Sequence, residues 1–223
     1  MQRQFEKIAA YLNLHFNKVA LFFVVFYGVG ILGLSLPATY PIFTKLTPLA
    51  LLLSTVAMAF FHSSYSEKAL AVFGVIYLIG FGVEVIGVNT KLIFGPYTYG
   101  GGLGPKLLDT PLIIGVNWLL LVYAANSVIE RFVANRFLVI LLAGLVLVVY
   151  DLILEQAAPL IEMWSWQNNE VPIQNYVAWL VLAILLSGVL RLSGIPVKNR
   201  LAPVILSCQT LFFILLLFIL NRP

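Results

Sequence analysis

Seven apolar stretches, each long enough to cross a bilayer, decide what this chain can fold into. They run over about residues 19–36, 46–62, 69–88, 111–128, 136–155, 173–191 and 202–220. A helix needs about 20 apolar residues to cross the hydrocarbon core, with a range of roughly 17–25. Inside that core, every backbone polar group must be satisfied within the segment, which selects helices. The expectation is an all-α, polytopic integral membrane protein of about seven transmembrane helices in one bundle, with residues 1–223 forming a single domain. Only 10% of the residues are charged, against roughly a quarter in soluble domains. Pro37, Pro48, Pro111, Pro172 and Pro203 are expected at the ends of spans, where proline stops a helix or is tolerated. The polar, amphipathic start "MQRQFEKIAAYLNLHFNK" lacks a small-residue cleavage site, so the first span is expected to be retained.

Basic residues set the orientation. With seven spans, the end of the bundle holding the N-terminus (side A) carries Arg3, Lys7, Lys18, Lys68, Arg131, Arg136, Arg191, Lys198 and Arg200, nine of the 13 Lys and Arg. The other end (side B) carries Lys45, Lys91, Lys106 and Arg222. That bias puts the N-terminus in the cytoplasm and the C-terminus outside the cell membrane. It also accounts for the net charge of +4 without invoking nucleic acid. The single Cys208 lies in an apolar run and has no partner for a disulfide.

The remaining polar residues sort to the opposite end. All four tryptophans (Trp118, Trp164, Trp166 and Trp179) fall at or near side B. So do six of the nine carboxylates: Glu84, Asp109, Asp151, Glu155, Glu162 and Glu170. At about 1.5 Å per residue, Glu84 lies roughly 24 Å from Lys68, and Asp151 roughly 22 Å from Arg136. By the same rise, Asn117 and Trp118 lie about 9–10 Å below Pro111, and Asn175, Tyr176 and Trp179 about 5–10 Å below Pro172. Four helices therefore bring polar and aromatic side chains into one layer beneath the side B surface.

Asp151 and Glu155 are four residues apart and share a helix face. Two like charges that close in a poorly hydrated site cannot both ionise cheaply, so one is expected to keep its proton and to serve as a general acid. The plainer alternatives are that Glu155 reaches interfacial water, and that Glu84 pairs with Lys91 or Lys106. Intramembrane acids nevertheless mark functional sites as a rule. The segment "FGPYTYGGGLG" lacks the GK[ST] ending of a phosphate loop. It reads as a lid or re-entrant segment over a cavity, bringing Tyr97 and Tyr99. His15 and His62 fall at side A, far apart and without metal-site spacing.

With those residues laid out, the chain resembles the membrane-bound carotenoid biosynthesis protein family, whose characterised members are carotenoid hydratases. The resemblance rests on "EVIGVNTKLIFGPYTYG" (84–100), "LGPKLLDTPLIIGVNWLLLVY" (103–123), "DLILEQAAP" (151–159), "WSW" (164–166) and "VPIQNYVAW" (171–179). It implies addition of water to the terminal C=C of an acyclic carotenoid end, giving a tertiary alcohol, with no metal and no cofactor. It also implies a lycopene- or γ-carotene-like substrate, the lipid bilayer as surroundings and other carotenoid enzymes as partners. Such a reaction requires protonation of the alkene to a tertiary cation, groups that stabilise the cation, and one positioned water. On that basis Asp151 is the expected proton donor, with Glu155 or Glu84 holding the water and accepting its proton. Asn117 and Asn175 would orient the water or the carboxylates. Tyr97, Tyr99, Trp118, Trp166, Tyr176 and Trp179 would line the pocket. A proton-initiated cyclase, an intramembrane prenyltransferase and a non-catalytic pigment- or lipid-binding scaffold remain as rivals.

Overall fold

The computed structural model describes residues 2–220. Eight helices follow in order: α1 (Gln2–Leu14), α2 (Phe16–Ser35), α3 (Tyr40–Phe60), α4 (Glu67–Thr90), α5 (Ile113–Ile129), α6 (Arg136–Ala157), α7 (Ile173–Leu192) and α8 (Ala202–Leu220). All but α1 and α5 are long and apolar enough to cross a membrane. The protein is an all-α polytopic membrane protein, with six such helices among the described residues and a seventh, α5, that is apolar but only 17 residues long.

The shortness of α5 follows from its position. It packs against α3, α4, α6, α7 and α8, and an unbroken run from Leu120 to Ser127 is buried. A helix surrounded by other helices has no lipid face to match to the bilayer thickness. The outward faces of the surrounding helices carry Leu21, Val25, Leu52, Leu78, Leu145, Leu185 and Leu211, all exposed, as lipid contact demands.

Local chemistry sets the helix ends. The Ser66 hydroxyl accepts from the Ala69 amide at the start of α4 (3.1 Å), and Lys91 ends that helix in the left-handed region at φ 60°. Asn135 caps α6 by accepting from Phe137 and Leu138. Asn199 accepts from Leu201 and Ala202 at the start of α8, while its amide nitrogen donates to the Met58 carbonyl at 2.8 Å. One asparagine thus ties the side A ends of α3 and α8 together. Pro48 departs from expectation, because α3 begins at Tyr40 and the proline lies inside it. Its ring packs beneath Gly104 of the α4–α5 loop.

The two long side B loops are not irregular. In β1 (Tyr97–Tyr99) the chain after α4 is extended, and a hairpin of β2 (Lys106–Leu107) and β3 (Thr110–Pro111) then leads into α5. After α6, a 3-10 turn over Ala158–Ile161 leads into β4 (Trp164–Trp166). β1 and β4 pair antiparallel, with Tyr97 opposite Trp166, Thr98 opposite Ser165 and Tyr99 opposite Trp164. Side chains alternate across a strand. Here the two tyrosines and two tryptophans are buried, while Thr98 and Ser165 point outward.

The glycine run beside β1 makes that pairing possible. The Gly100 amide donates to the Met163 carbonyl (2.9 Å) and the Gly102 amide to the Glu162 carbonyl (2.8 Å). A Cβ on Gly100 would stand 2.3 Å from the Glu162 carbonyl oxygen, and one on Gly102 would stand 2.6 Å from that of Ile161. At Gly101 the nearest atom would be 3.8 Å away. Gly100→Ala should therefore destabilise the protein by about 1–3 kcal/mol, the usual range for overpacking, whereas Gly101→Ala should be close to neutral. Thermal unfolding of the two variants in one detergent checks this contrast, and equal melting temperatures would contradict it.

Candidate functional site

The inward face of the β1–β4 ribbon closes over the side B ends of α4, α5, α6 and α7, where two glutamates are held in parallel ways. Glu84 of α4 is 5% exposed. Its Oε2 accepts from the Tyr97 hydroxyl (2.6 Å) and the Tyr99 hydroxyl (2.7 Å), and its Oε1 accepts from the indole nitrogen of Trp118 on α5 (3.0 Å). Glu155 of α6 is 3% exposed. Its Oε2 accepts from the indoles of Trp164 (2.9 Å) and Trp166 (2.5 Å), and its Oε1 from the Asn175 amide of α7 (3.1 Å). Each glutamate thus receives two donors from one strand of the ribbon and a third from a neighbouring helix.

Asp151, one turn deeper on α6 and fully buried, is held differently. Its Oδ2 accepts from the same Asn175 amide nitrogen at 2.9 Å, while its Oδ1 is buried without a partner among the described residues. Asn175 therefore bridges Asp151 and Glu155, the pair whose i, i+4 spacing set them on one face.

Small residues make room for this arrangement. Gly80 and Gly87 flank Glu84 on α4. A Cβ on Gly80 would meet Trp118 at 2.7 Å, and one on Gly87 would meet Phe94 at 2.5 Å. Trp118 can therefore lie against α4 with its indole N–H directed at Glu84. Its ring also packs on Trp179 of α7, with centroids 4.3 Å apart. Burial, and after it the neighbouring Glu84 carboxylate, holds both Tyr97 and Tyr99 well above the ordinary phenol range. Both phenols therefore keep their protons and serve as donors.

Glu84 and Glu155 face one cavity of about 20 Å³, walled by the ribbon rings, Phe94, Ile114, Asn117, Trp118, Asn175 and Trp179. A water needs roughly 10–15 Å³ of such space, so the cavity has room for about one. Of the residues expected at the site, Glu84, Asn117, Glu155, Asn175, Tyr97, Tyr99, Trp118, Trp166 and Trp179 line it together. Asp151 lies outside this lining, behind Asn175. Tyr176 does not reach the cavity either and lines an outer crevice instead. Asp109, Glu162 and Glu170 are exposed and take no part. Trp164, one of the four donors from the ribbon, was not among the expected site residues. Its signal was present in "WSW", whose period of two matches that of "YTY".

Residues 46–221 match the family described as carotenoid biosynthesis protein. The chain is also similar to the bisanhydrobacterioruberin hydratase of Haloarcula japonica, with 36% identity over 114 residues that cover 47% of this chain. The chain spans only 38% of that relative's length. No solved structure matches it.

The hydrogen bonds to Glu84 predict a graded response. A buried acceptor that loses one of its donors costs about 1–3 kcal/mol. Tyr99→Phe should cost stability in that range, and Thr98→Ala, on the outward face of the same strand, should cost little. Denaturant titration of both variants in one micelle checks this, and equal midpoints would refute it.

Proposed function

The chain belongs to the carotenoid biosynthesis protein family, and on that premise we propose that its acid site adds water to the terminal C=C of an acyclic carotenoid end, giving a tertiary alcohol. The observation that carries this reading is the pair of glutamates from different helices facing one water-sized cavity. A cyclase would place an internal alkene where this cavity has room for a water.

Hydrogen-bond inventory distributes the roles. Glu84 and Glu155 each accept three donors, the surroundings of an ionised, acceptor-only carboxylate. Asp151 accepts one and has an oxygen to spare, which suits a carboxyl group that carries the proton. In this mechanism the Asp151–Glu155 side supplies the proton to the less substituted alkene carbon, with Asn175 linking the two. The tertiary cation that forms is stabilised by the negative charge on either side and by the faces of Trp118 and Trp179. Water in the cavity, oriented by Asn117, forms the new C–O bond. Its surplus proton passes to Glu84 and returns across the shared cavity to the Asp151–Glu155 side before the next turnover, so one water is consumed and the acid is restored. The excess of Lys and Arg at side A supports a cytoplasmic N-terminus, which would put the acid site just beneath the outer surface of the cell membrane.

Expression in bacteria that accumulate lycopene or γ-carotene, followed by liquid chromatography and mass spectrometry of the pigments, tests the reaction. The expected product is more polar and heavier by one water per hydrated end. A later-eluting pigment of unchanged mass would mean cyclisation, and unchanged pigment with the protein present in the membrane would end the hydratase reading. In the same assay Asp151→Asn and Glu84→Gln should each lower product formation by about 10²-fold or more, the usual contribution of general acid–base catalysis. Near-normal turnover of Asp151→Asn would move the donor role to Glu155.

A further inference from the structure

Glu155 lines two cavities. Inward lies the water-sized cavity shared with Glu84. Outward lies a crevice of about 540 Å³, walled by Gln156, Pro159, Asn169, Glu170, Val171 and Tyr176. Glu155 and Trp166 are the two residues common to both linings. Gln156, Pro159, Asn169 and Glu170 are exposed and Tyr176 is half-buried, so the crevice opens at the side B surface and narrows to the glutamate.

We propose that this crevice is the entry for the water consumed in the reaction, with Glu155 at its throat and the Trp166 ring as the partition between the two cavities. The inference rests on the hydration reading, which fixes what has to enter. Each turnover forms one C–H bond and one C–O bond from one water, and the proton lent by the acid is returned by that water. The route therefore has to carry water and no net proton, and the apolar substrate never needs it. Polar side chains along the crevice hydrate it as far as Glu155, whose carboxylate passes a water inward when the Trp166 indole swings aside. Alkene and water thus approach from different directions, one from the lipid and one from the aqueous surface, so bulk water stays away from the cation.

The test uses the purified protein in detergent, treated with a water-soluble carbodiimide and glycine ethyl ester. Amidation of Glu84, Glu155 and Glu170 is then read by peptide mass spectrometry. Glu155 should react more slowly than exposed Glu170 but at least several-fold faster than Glu84. Val171→Trp, which fills the crevice wall, should reduce Glu155 amidation several-fold and leave Glu170 unchanged. Val171→Ala should raise it, and this second variant covers the case in which the tryptophan is not tolerated. In the pigment assay Val171→Trp should slow formation of the hydrated product several-fold while pigment still co-purifies with the protein. An unreactive Glu155 beside a reactive Glu170 in the unaltered protein would overturn the proposal. So would a Val171→Trp protein that shields Glu155 yet hydrates at the normal rate. If the unaltered protein forms no hydrated pigment, the hydration reading falls, and the labelling still decides whether the crevice reaches Glu155.

Discussion

Three carboxyl groups buried in a lipid-embedded bundle are the constraint around which the side B half of this molecule is arranged. An uncompensated charge in such surroundings costs several kcal/mol, so each oxygen of a carboxyl group that keeps its charge needs a donor. The helices alone supply too few. Trp118 serves Glu84, and the single Asn175 amide nitrogen is shared between Asp151 and Glu155. The other four donors come from the ribbon, whose two short strands alternate so that every inward side chain carries an O–H or N–H. The glycines at 100 and 102 bring the strands together, and those at 80 and 87 admit the rings that finish the site. Ribbon, glycines and rings follow from a single requirement of charge satisfaction.

The same tightness bears on catalysis. As it stands the cavity has room for about one water, far less than a carotenoid end. On the proposed reaction the alkene must displace part of the wall, and the wall elements differ in stiffness. The ribbon is paired over three residues in each strand and anchored by the glycine run. Trp118 and Trp179 meet through ring contact across α5 and α7, and of the two only Trp118 also donates to a glutamate among the described residues. Entry between those rings would bring the polyene against π faces suited to a developing cation, without unhooking either glutamate from its ribbon donors.

Much of this is legible in the sequence, for physical reasons. Hydrocarbon thickness and backbone satisfaction make membrane helices long, so the spans stand out in the sequence, and helical rise converts residue number into depth. That is why Glu84, Asn117, Trp118, Asp151, Asn175 and Trp179 are assigned to one layer. What escaped was what depends on pairing between distant segments. Strands of three residues carry too little periodicity to announce themselves, so the Tyr97–Tyr99 and Trp164–Trp166 pairing was not foreseen, nor was Trp164 as a donor. The separation of Asp151 from the cavity depends on where one amide, Asn175, comes to rest. Tyr176 was at the right depth but on the wrong face. Pro48 reads as a helix end because proline usually is one, whereas it lies inside α3 with its ring near Gly104 of a loop more than fifty residues away.

The order of the donors along the chain has a consequence for how the protein is made. Every hydrogen bond to Glu84 comes from a residue 13, 15 or 34 positions later, and every one to Glu155 from a residue 9, 11 or 20 positions later. Synthesis runs from the N-terminus, so each acid leaves the ribosome ahead of the segment that neutralises its cost. The helices carrying them enter the bilayer first, and the donors follow within one further span. Two half-sites can therefore complete themselves separately, one from α4 to α5 and one from α6 to α7. The joining of β1 to β4 then seals two hydrogen-bonded halves, and neither acid has to wait in lipid for a partner from the far end of the chain.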